Sequence, residues 1–587
     1  MSVSASPEQA RRASKFRWRF RDIDRGGAGA LGSALGVGSV TARVLWARGL
    51  KETAAARLFL NPSIADLHDP LRMLGMPEAV RRIQQAIAAG QKILIYGDYD
   101  VDGTTSVVVL KKAIELAGGT AMFHVPDRFK EGYGMRAEQV ERAAAEGISL
   151  IISVDTGIRA GEVVRRAAAL GIDVIVTDHH LPEAELPPAL AVLNPNQPGC
   201  QYPEKNLCGV GVTFKLAQGL LRTLDWPADK LARILKSFLK LVAIGTVADV
   251  VPLTGENRII VRHGLEGLHV VKNTGLRALL KVAGISEGVA PSAGQVSFQV
   301  APRINAAGRM ATATDVIELL LTTDDARAQA LAEQLDALNT DRQRTEAEIV
   351  RLILEECVRV PVTGDHAALV FDGQGWHRGV LGIVASRLVE RFHRPAFVLG
   401  TTAEDGLAQG SGRSIAAFHL LEALEAMPEL FTKFGGHFHA AGLTMPSNRV
   451  DEFRNRLNTY AATRLSSDDF IPSLLIDTEV ELQEIAPQAM EALSLHPFGI
   501  GNPRPLFVMR DVEIVGQPVW MKEKHVRFHI RQGERTLQLK AWNFIDRASE
   551  LAVGNRIDIV FELEEDAYSA SRGYAGWCVT LRDLAVN

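Results

Sequence analysis

Cysteine is scarce in this chain. The four residues Cys200, Cys208, Cys357 and Cys578 are scattered among 587 without the paired spacing of a zinc site. They read as reduced structural thiols, not as a disulfide framework. Long hydrophobic runs are missing too: no apolar stretch reaches the roughly 18 residues that a membrane helix needs. The first residues carry no hydrophobic signal core, so a cytoplasmic location without a membrane partner is expected. Nor is one sign of charge in excess. A net charge of −4 neither points to nucleic acid nor excludes it, because acids committed to metal ions can coexist with local basic grooves. Internal repeats and low-complexity tails are also absent.

What is present is ordinary globular material, 47% hydrophobic and 23% charged, and too long for one core; about two to four domains are expected. Residues 91 to 195 alternate short apolar runs (Ile93–Tyr96, Met122–Val125, Leu150–Val154, Val174–Thr177) with helical segments such as Ala137–Glu146 and Gly161–Leu170. That rhythm predicts an α/β domain with a parallel sheet, in which ligands bind beyond the carboxyl ends of the strands. Residues 214 to 248 read as helical, and Asp324 to Cys357, charged and free of Pro and Gly, as one long connecting helix. A second α/β pattern starts at Ala367–Phe371, and the alternating runs Val526–Ile530, Thr536–Leu539 and Ile557–Leu563 predict a C-terminal β-barrel or sandwich. The expected divisions are 1–90, a segment packing on the core; 91–322; the connecting helix 323–360; 361–468; and 469–587.

The segment ILIYGDYDVDGTTS, residues 93 to 106, delivers Asp98, Asp100 and Asp102 at the end of a strand, followed by Gly103, Thr104, Thr105 and Ser106. Three acids so close repel one another unless a cation sits among them. A helix read from Val107 to Leu116 places the hydroxyls at its N-terminus, where free N–H groups favour an anion. Other strand or helix ends carry the same chemistry: Asp155 after Val154, Asp178-His179-His180 after Thr177, and Asp249 in ADVVPL. One Asp after a strand is usually a turn or cap. Four such segments in order are too many for that account, and a mixed carboxylate–imidazole cluster suits two cations, Mn²⁺ or Mg²⁺.

VTDHHLP holds the triplet from which the DHH phosphoesterase superfamily takes its name, and the order DYDVDGTTS, VDTG, TDHH, ADVVPL resembles that family's first four motifs. APRINAAGR at 301–309, SGRS at 411–414 and FGGHFHAAGLT at 434–444 follow. This full set, over about residues 90 to 587, resembles the RecJ branch of bacterial single-strand-specific exonucleases. The resemblance implies a DHH domain, a DHHA1 domain and an OB fold for the three expected domains. It implies a two-cation site, Mn²⁺ preferred and Mg²⁺ possible, built from Asp98, Asp100, Asp102, Asp155, His179 and Asp249; simpler family members place a histidine near Asp98. Asp178 would orient a ligand, and His180 would face the scissile phosphate or act as a general acid, a choice the residues leave open.

The later motifs supply a phosphate clamp: Arg303, Asn305 and Arg309; Ser411, Gly412, Arg413 and Ser414; and Gly436 with His437 behind Gly435. Each alone could equally be a tight turn with solvated charges. A clamp joined by one helix suggests a groove that admits one strand and not two. Basic and aromatic residues of the C-terminal part (Trp520, Lys522, Lys524, His525, Arg527, Lys540, Trp542, and also Arg504, Phe507, Phe528) are partly candidates for stacking on bases and partly core. The alternation Arg17-Trp18-Arg19-Phe20-Arg21 is explained as well by a half-buried strand as by nucleic-acid contact. The implied activity is 5′→3′ hydrolysis of single-stranded DNA to mononucleotides in recombination and repair. A monomer is expected, with a single-strand-binding protein and a helicase as partners. The alternatives are a DHH phosphoesterase of short oligonucleotides or cyclic dinucleotides, which are usually much shorter, and a non-catalytic replication scaffold, against which the intact acids argue.

Overall fold

A computed structural model describes residues 14–128, 130–132, 134–402, 406–566, 572–573 and 576–587. Two compact units emerge: Leu58–Arg342 with His496–Pro503, and the residues up to Arg57 with Gln343–Leu495 and Arg504–Asn587. The expected single segment 1–90 is therefore divided between them. The long helix, Asp325–Arg359, contributes to both. No single helix among the described residues is long and apolar enough to cross a membrane.

The unit that carries Leu58–Arg342 is built on five parallel strands in the order Ala121–His124, Lys92–Tyr96, Ile148–Val154, Asp173–Thr177, Ala191–Leu193. The central runs Ile93–Ile95 and Leu150–Ile152 are buried on both faces, as strands covered by helices require. From Lys92–Tyr96 the chain steps first to one side and later to the other, so the strand order reverses beside this strand and opens a crevice at its carboxyl end. The helix after it starts earlier than its apolar run predicts, at Val101, with Asp100 as N-cap accepting from Gly103 N at 2.9 Å. The segment read as helical over 214–248 is two helices, Gly209–Leu221, which ends with Arg222 as its C-cap, and Ala228–Ala248, which opens with Pro227 as its N-cap. The turn-rich segment His496–Pro503 packs here: Leu253 N donates to Ile500 O, and Arg258 and Arg262 donate to His496 O.

In the other unit a five-stranded mixed sheet runs Lys433–Gly436, Ala440–Pro446, Leu407–Arg413, Ala396–Thr401, Leu369–Gln374. Only the last pair is parallel. Helices Arg378–Phe392 and Val450–Ala462 cover it, with Phe397 and Phe453 edge to face in the core. The C-terminal strands form a closed barrel in the order Leu506–Met521, His525–Gln532, Arg535–Ala541, Trp577–Val586, Arg556–Glu565, the last pairing back onto the first. Leu506–Met521 serves two neighbours because its register shifts between Met509 and Val512 and between Val515 and Val519, bending the strand around the barrel. Val526, Phe528 and Ile530 point inward while Arg527, His529 and Arg531 stay exposed. Arg17–Phe20 is a strand, paired in parallel with Ser473–Ile476, but its burial does not follow the alternation: Arg17 and Trp18 are half-buried, Arg19 and Phe20 exposed.

Candidate metal centre and phosphate-binding residues

The acids meet at the carboxyl end of the parallel sheet. Asp98, Asp102 and Asp155 are each less than 5% exposed. Oxygens of Asp98, Asp100 and Asp155 form one group within 4.8 Å, and Asp102, His179 and Asp249 a second within the same limit. His179 joins them: its Nε2 lies 3.3 Å from Asp155 Oδ1 and 3.9 Å from Asp102 Oδ2, and its Nδ1 lies 3.7 Å from Asp249 Oδ2. Asp155 reaches in because its backbone is left-handed, φ 60°, a conformation that aspartate tolerates better than most residues.

Four of these atoms, Asp98 Oδ1, Asp155 Oδ1, His179 Nε2 and Asp249 Oδ2, are buried without a hydrogen-bond partner among the described residues. Unpaired buried carboxylates cost several kcal/mol each unless they take up protons or a cation. Protons are what the metal-free cluster holds. Burial, then the charge of Asp100, pushes Asp98 up to about 8 and Asp102 to about 7. Burial, then Asp102, pushes Asp249 up to about 9, and burial and its acidic neighbours lift Asp155 well above the carboxylate range. Burial, then His180, lowers His179 to about 4, so its imidazole is neutral and has a lone pair to offer a cation. His179 Nε2 and Asp155 Oδ1, 3.3 Å apart with no hydrogen bond at either among the described residues, are spaced much as neighbouring ligands on a small divalent cation, about 3 Å apart. The residues therefore fit a pair of hard-to-borderline divalent cations.

Asp178 is occupied otherwise. Its Oδ1 accepts from His179 N, His180 N and His180 Nδ1 (2.8, 3.1 and 2.7 Å), and its Oδ2 accepts from Ile158 N at 2.9 Å. Burial alone would raise this carboxyl, but the His180 contact outweighs it and holds it below its ordinary value. Burial would likewise depress His180, yet the bond and charge of Asp178 keep it raised. The hydroxyls after the acids do not face an anion. Thr104 Oγ1 and Thr105 Oγ1 donate to Asp100 O and Val101 O within the buried helix, which corrects the anion site expected there. The helix N-terminus that does meet a charge belongs to Gly209–Leu221: Gly209 N and Val210 N donate to Asp102 at 2.6 and 2.7 Å. Asn194 and Asn196 hold the backbone of the two histidines, donating to His180 O and His179 O. Sequence reading passed over both; their signal was an Asn-Pro-Asn turn directly after a strand.

Of the other candidates, Arg303 lies on the helix Ala301–Met310 with its guanidinium paired to Asp336 at 2.8 Å; Asn305 and Arg309 follow on the same helix, half-buried. Gly308 of that helix permits a close approach, but to the acidic loop, since a Cβ would lie 2.6 Å from Tyr99 O. In the other unit, Ser411, Gly412 and Arg413 end the strand Leu407–Arg413, and Ser414 donates its hydroxyl to Phe418 O. Arg413 is half-buried beside Gly382 in the first turns of Arg378–Phe392, burial lowers its pKa, and no carboxylate pairs with it among the described residues. Gly436 is tight against its own hairpin, a Cβ there lying 2.5 Å from Ala441 Cα, while Gly435 and His437 are exposed. In the barrel Phe507 and Phe528 are core, whereas Trp520 and Trp542 are 37% and 50% exposed.

Comparison with known proteins gives the same outline. Residues 92–246 match the DHH family, N-terminal domain; residues 365–463 the DHHA1 domain; and residues 476–574 the RecJ OB domain. The single-stranded-DNA-specific exonuclease RecJ of Bacillus subtilis is 41% identical over 557 residues, 94% of this chain and 69% of that protein. The crystal structure of Thermus thermophilus RecJ in complex with Mn²⁺ superposes with a TM-score of 0.81 at 31% identity, covering 97% of this chain and 79% of the other. Its Mg²⁺ complex gives 0.76 at 30% identity, covering 97% and 78%.

Proposed function

The chain belongs to the RecJ family of DHH phosphoesterases, and we infer that it is a metal-dependent exonuclease that hydrolyses single-stranded DNA. The observation that carries this reading is the set of four buried, partnerless ligand atoms on Asp98, Asp155, His179 and Asp249. We assign two divalent cations, Mn²⁺ or Mg²⁺, to Asp98, Asp100, Asp102, Asp155, His179 and Asp249. Bound there, such a pair lowers the pKa of a coordinated water and neutralises phosphoryl oxygens during an in-line displacement.

The chain's own residues do the rest. Gly209 N and Val210 N hold the Asp102 carboxylate in place. Asp178 fixes the tautomer and orientation of His180 through Nδ1 and favours its protonated form. His180 is about two-fifths exposed, so its cationic ring can meet the scissile phosphate and the departing 3′ oxygen. Arg413, a half-buried guanidinium without a carboxylate, suits a phosphate oxygen pair, with Ser411, Gly412, Ser414, Gly436 and His437 around it. The same reading assigns Asn305 and Arg309 to the phosphate backbone, and Arg303 reaches it only in competition with Asp336. Trp520 and Trp542 offer exposed faces for bases.

The same reading assigns 91–322 as the DHH domain, 361–468 as the DHHA1 domain and 469–587 as the OB fold, with 323–360 connecting them. It has a monomer releasing mononucleotides in the 5′→3′ direction in the cytoplasm, on strands that a helicase exposes and a single-strand-binding protein covers. The test is digestion of 5′-labelled and 3′-labelled oligonucleotides, single-stranded and duplex, with Mn²⁺. Labelled mononucleotide should appear at once from the 5′-labelled strand and last from the 3′-labelled one. The reverse order refutes the direction, and equal digestion of duplex refutes the single-strand reading.

A further inference from the structure

Ahead of the first arginine motif the helix widens. Ala293–Gln295 and Ala301–Met310 are joined by the π-helical turn Val296–Val300, in which Ala301 N donates to Val296 O, five residues back. Pro302 accounts for the break from α geometry. It has no N–H to give Phe298 O, and its ring would crowd that oxygen in a regular turn. A single wide turn re-aims the side chains ahead of it, and such turns recur at functional sites.

The side chain re-aimed here is Phe298. Val296 and Val300, two residues to either side, are fully buried, whereas Phe298 is 80% exposed. No ring or guanidinium lies against it among the described residues. One exposed apolar side chain is ordinary on a protein surface. Its place is what singles this one out. Counted on from the wide turn, Pro302, Asn305 and Arg309 come four, seven and eleven residues later and share a face with it, all partly exposed. Beside Arg309, Gly308 packs against Tyr99 O of the acidic loop, so the row ends next to Asp98 and Asp100. Arg303 donates to Gln299 O, which sets a cation against the same turn.

We propose, resting on the single-strand nuclease activity inferred above, that Phe298 is a stacking platform for a base of the strand a few nucleotides past the bond that is cut. The helix from Phe298 to Arg309 spans about 16 Å, and a strand with stacked bases advances about 3.4 Å per nucleotide. With a phosphate on Arg309, the ring meets the base about four or five nucleotides along. Every base has a π-face, so a phenyl ring without hydrogen-bonding groups holds any sequence, as an enzyme that consumes a whole strand requires. In duplex both faces of a base are covered by its neighbours, so the same ring favours single strands.

The test uses the full-length chain with Mn²⁺ and reads the first mononucleotide released. On a strand of about twelve thymidines Phe298→Ala should raise KM about tenfold with little change in kcat, and on a dinucleotide, too short to reach the ring, KM should barely move. Phe298→Trp should restore KM and Phe298→Leu should not, because leucine offers apolar area without a flat face. For the unaltered protein, one abasic nucleotide about four or five from the cut end should cost as much as the substitution, and in Phe298→Ala it should cost nothing further. Four results overturn the platform while leaving the nuclease activity standing: unchanged KM on the long strand, an equal rise on the dinucleotide, rescue by Phe298→Leu, or additive losses from the abasic site and Phe298→Ala. Failure of the unaltered protein to digest any single strand overturns the nuclease activity itself, and the platform with it.

Discussion

Loading the metal-free protein with Mn²⁺ should expel protons in a countable number. At pH 7 an acid held at about 8, such as Asp98, is mostly protonated, one at about 7, such as Asp102, is half protonated, and one at about 9, such as Asp249, is almost fully so. Asp155 is lifted well above the carboxylate range by burial and its acidic neighbours, whereas His179, lowered to about 4, carries no proton at this pH. A ligand must be deprotonated to bind metal, so full loading releases about 2 to 3 protons from Asp98, Asp102 and Asp249 at pH 7, and about 1 from the same three at pH 9. The sign follows from linkage: metal competes with protons, so apparent affinity rises with pH, by about 100-fold per unit near pH 7. Titration calorimetry in buffers of different ionisation enthalpy reads the proton number as a slope. Asp178 supplies a control. Held below its ordinary value and bonded on both oxygens, it has no proton to give, so Asp178→Asn should leave the count unchanged. Release of fewer than one proton at pH 7, with affinity flat between pH 6 and 9, would mean that the acids are ionised without metal and would refute the account of the cluster.

Three substitutions probe the rest. Asp155→Asn keeps a residue that tolerates φ 60° but removes a ligand, so cleavage should fall by about 10³-fold or more with the melting temperature of the metal-free protein preserved; near-normal turnover sinks the ligand assignment. Asp178→Asn should lower turnover about 10- to 100-fold and move the alkaline limb of the pH–rate profile to lower pH, because His180 loses the partner that raises it; an unmoved limb removes His180 from the rate profile. Arg413→Ala should weaken single-strand binding about 10- to 100-fold and flatten the salt dependence by roughly one phosphate contact, with Mn²⁺ affinity unchanged.

Much of this was legible in sequence for local reasons. A strand covered on both faces reads as an apolar run, and an acid just past its end lies within a few residues of it, so the run Ile93–Tyr96 and the acids behind it predicted both sheet and cluster. The alternation Val526, Arg527, Phe528 marked a barrel strand by the same period of two. The start of the helix at Val101 was missed because the cap, Asp100, is itself one of the acids, and its role as cap was hidden behind its role as ligand.

Sequence alone showed which chemistry is available: four acid-bearing segments, one of them with two histidines, at chain positions that follow strands or helices, plus two arginine motifs downstream. Which of those groups are free to use it depends on how remote segments pack together. Asp102 meets the N–H groups of Gly209 and Val210, over 100 residues away, and still keeps an elevated pKa. Arg303 finds Asp336, Arg413 finds no acid among the described residues, and Asp178 is filled by Ile158 and the two histidines it precedes. The physical reason is burial. Whether a polar atom is satisfied depends on what the folded chain brings to within about 3 Å of it, and in this fold those neighbours are mostly remote in sequence.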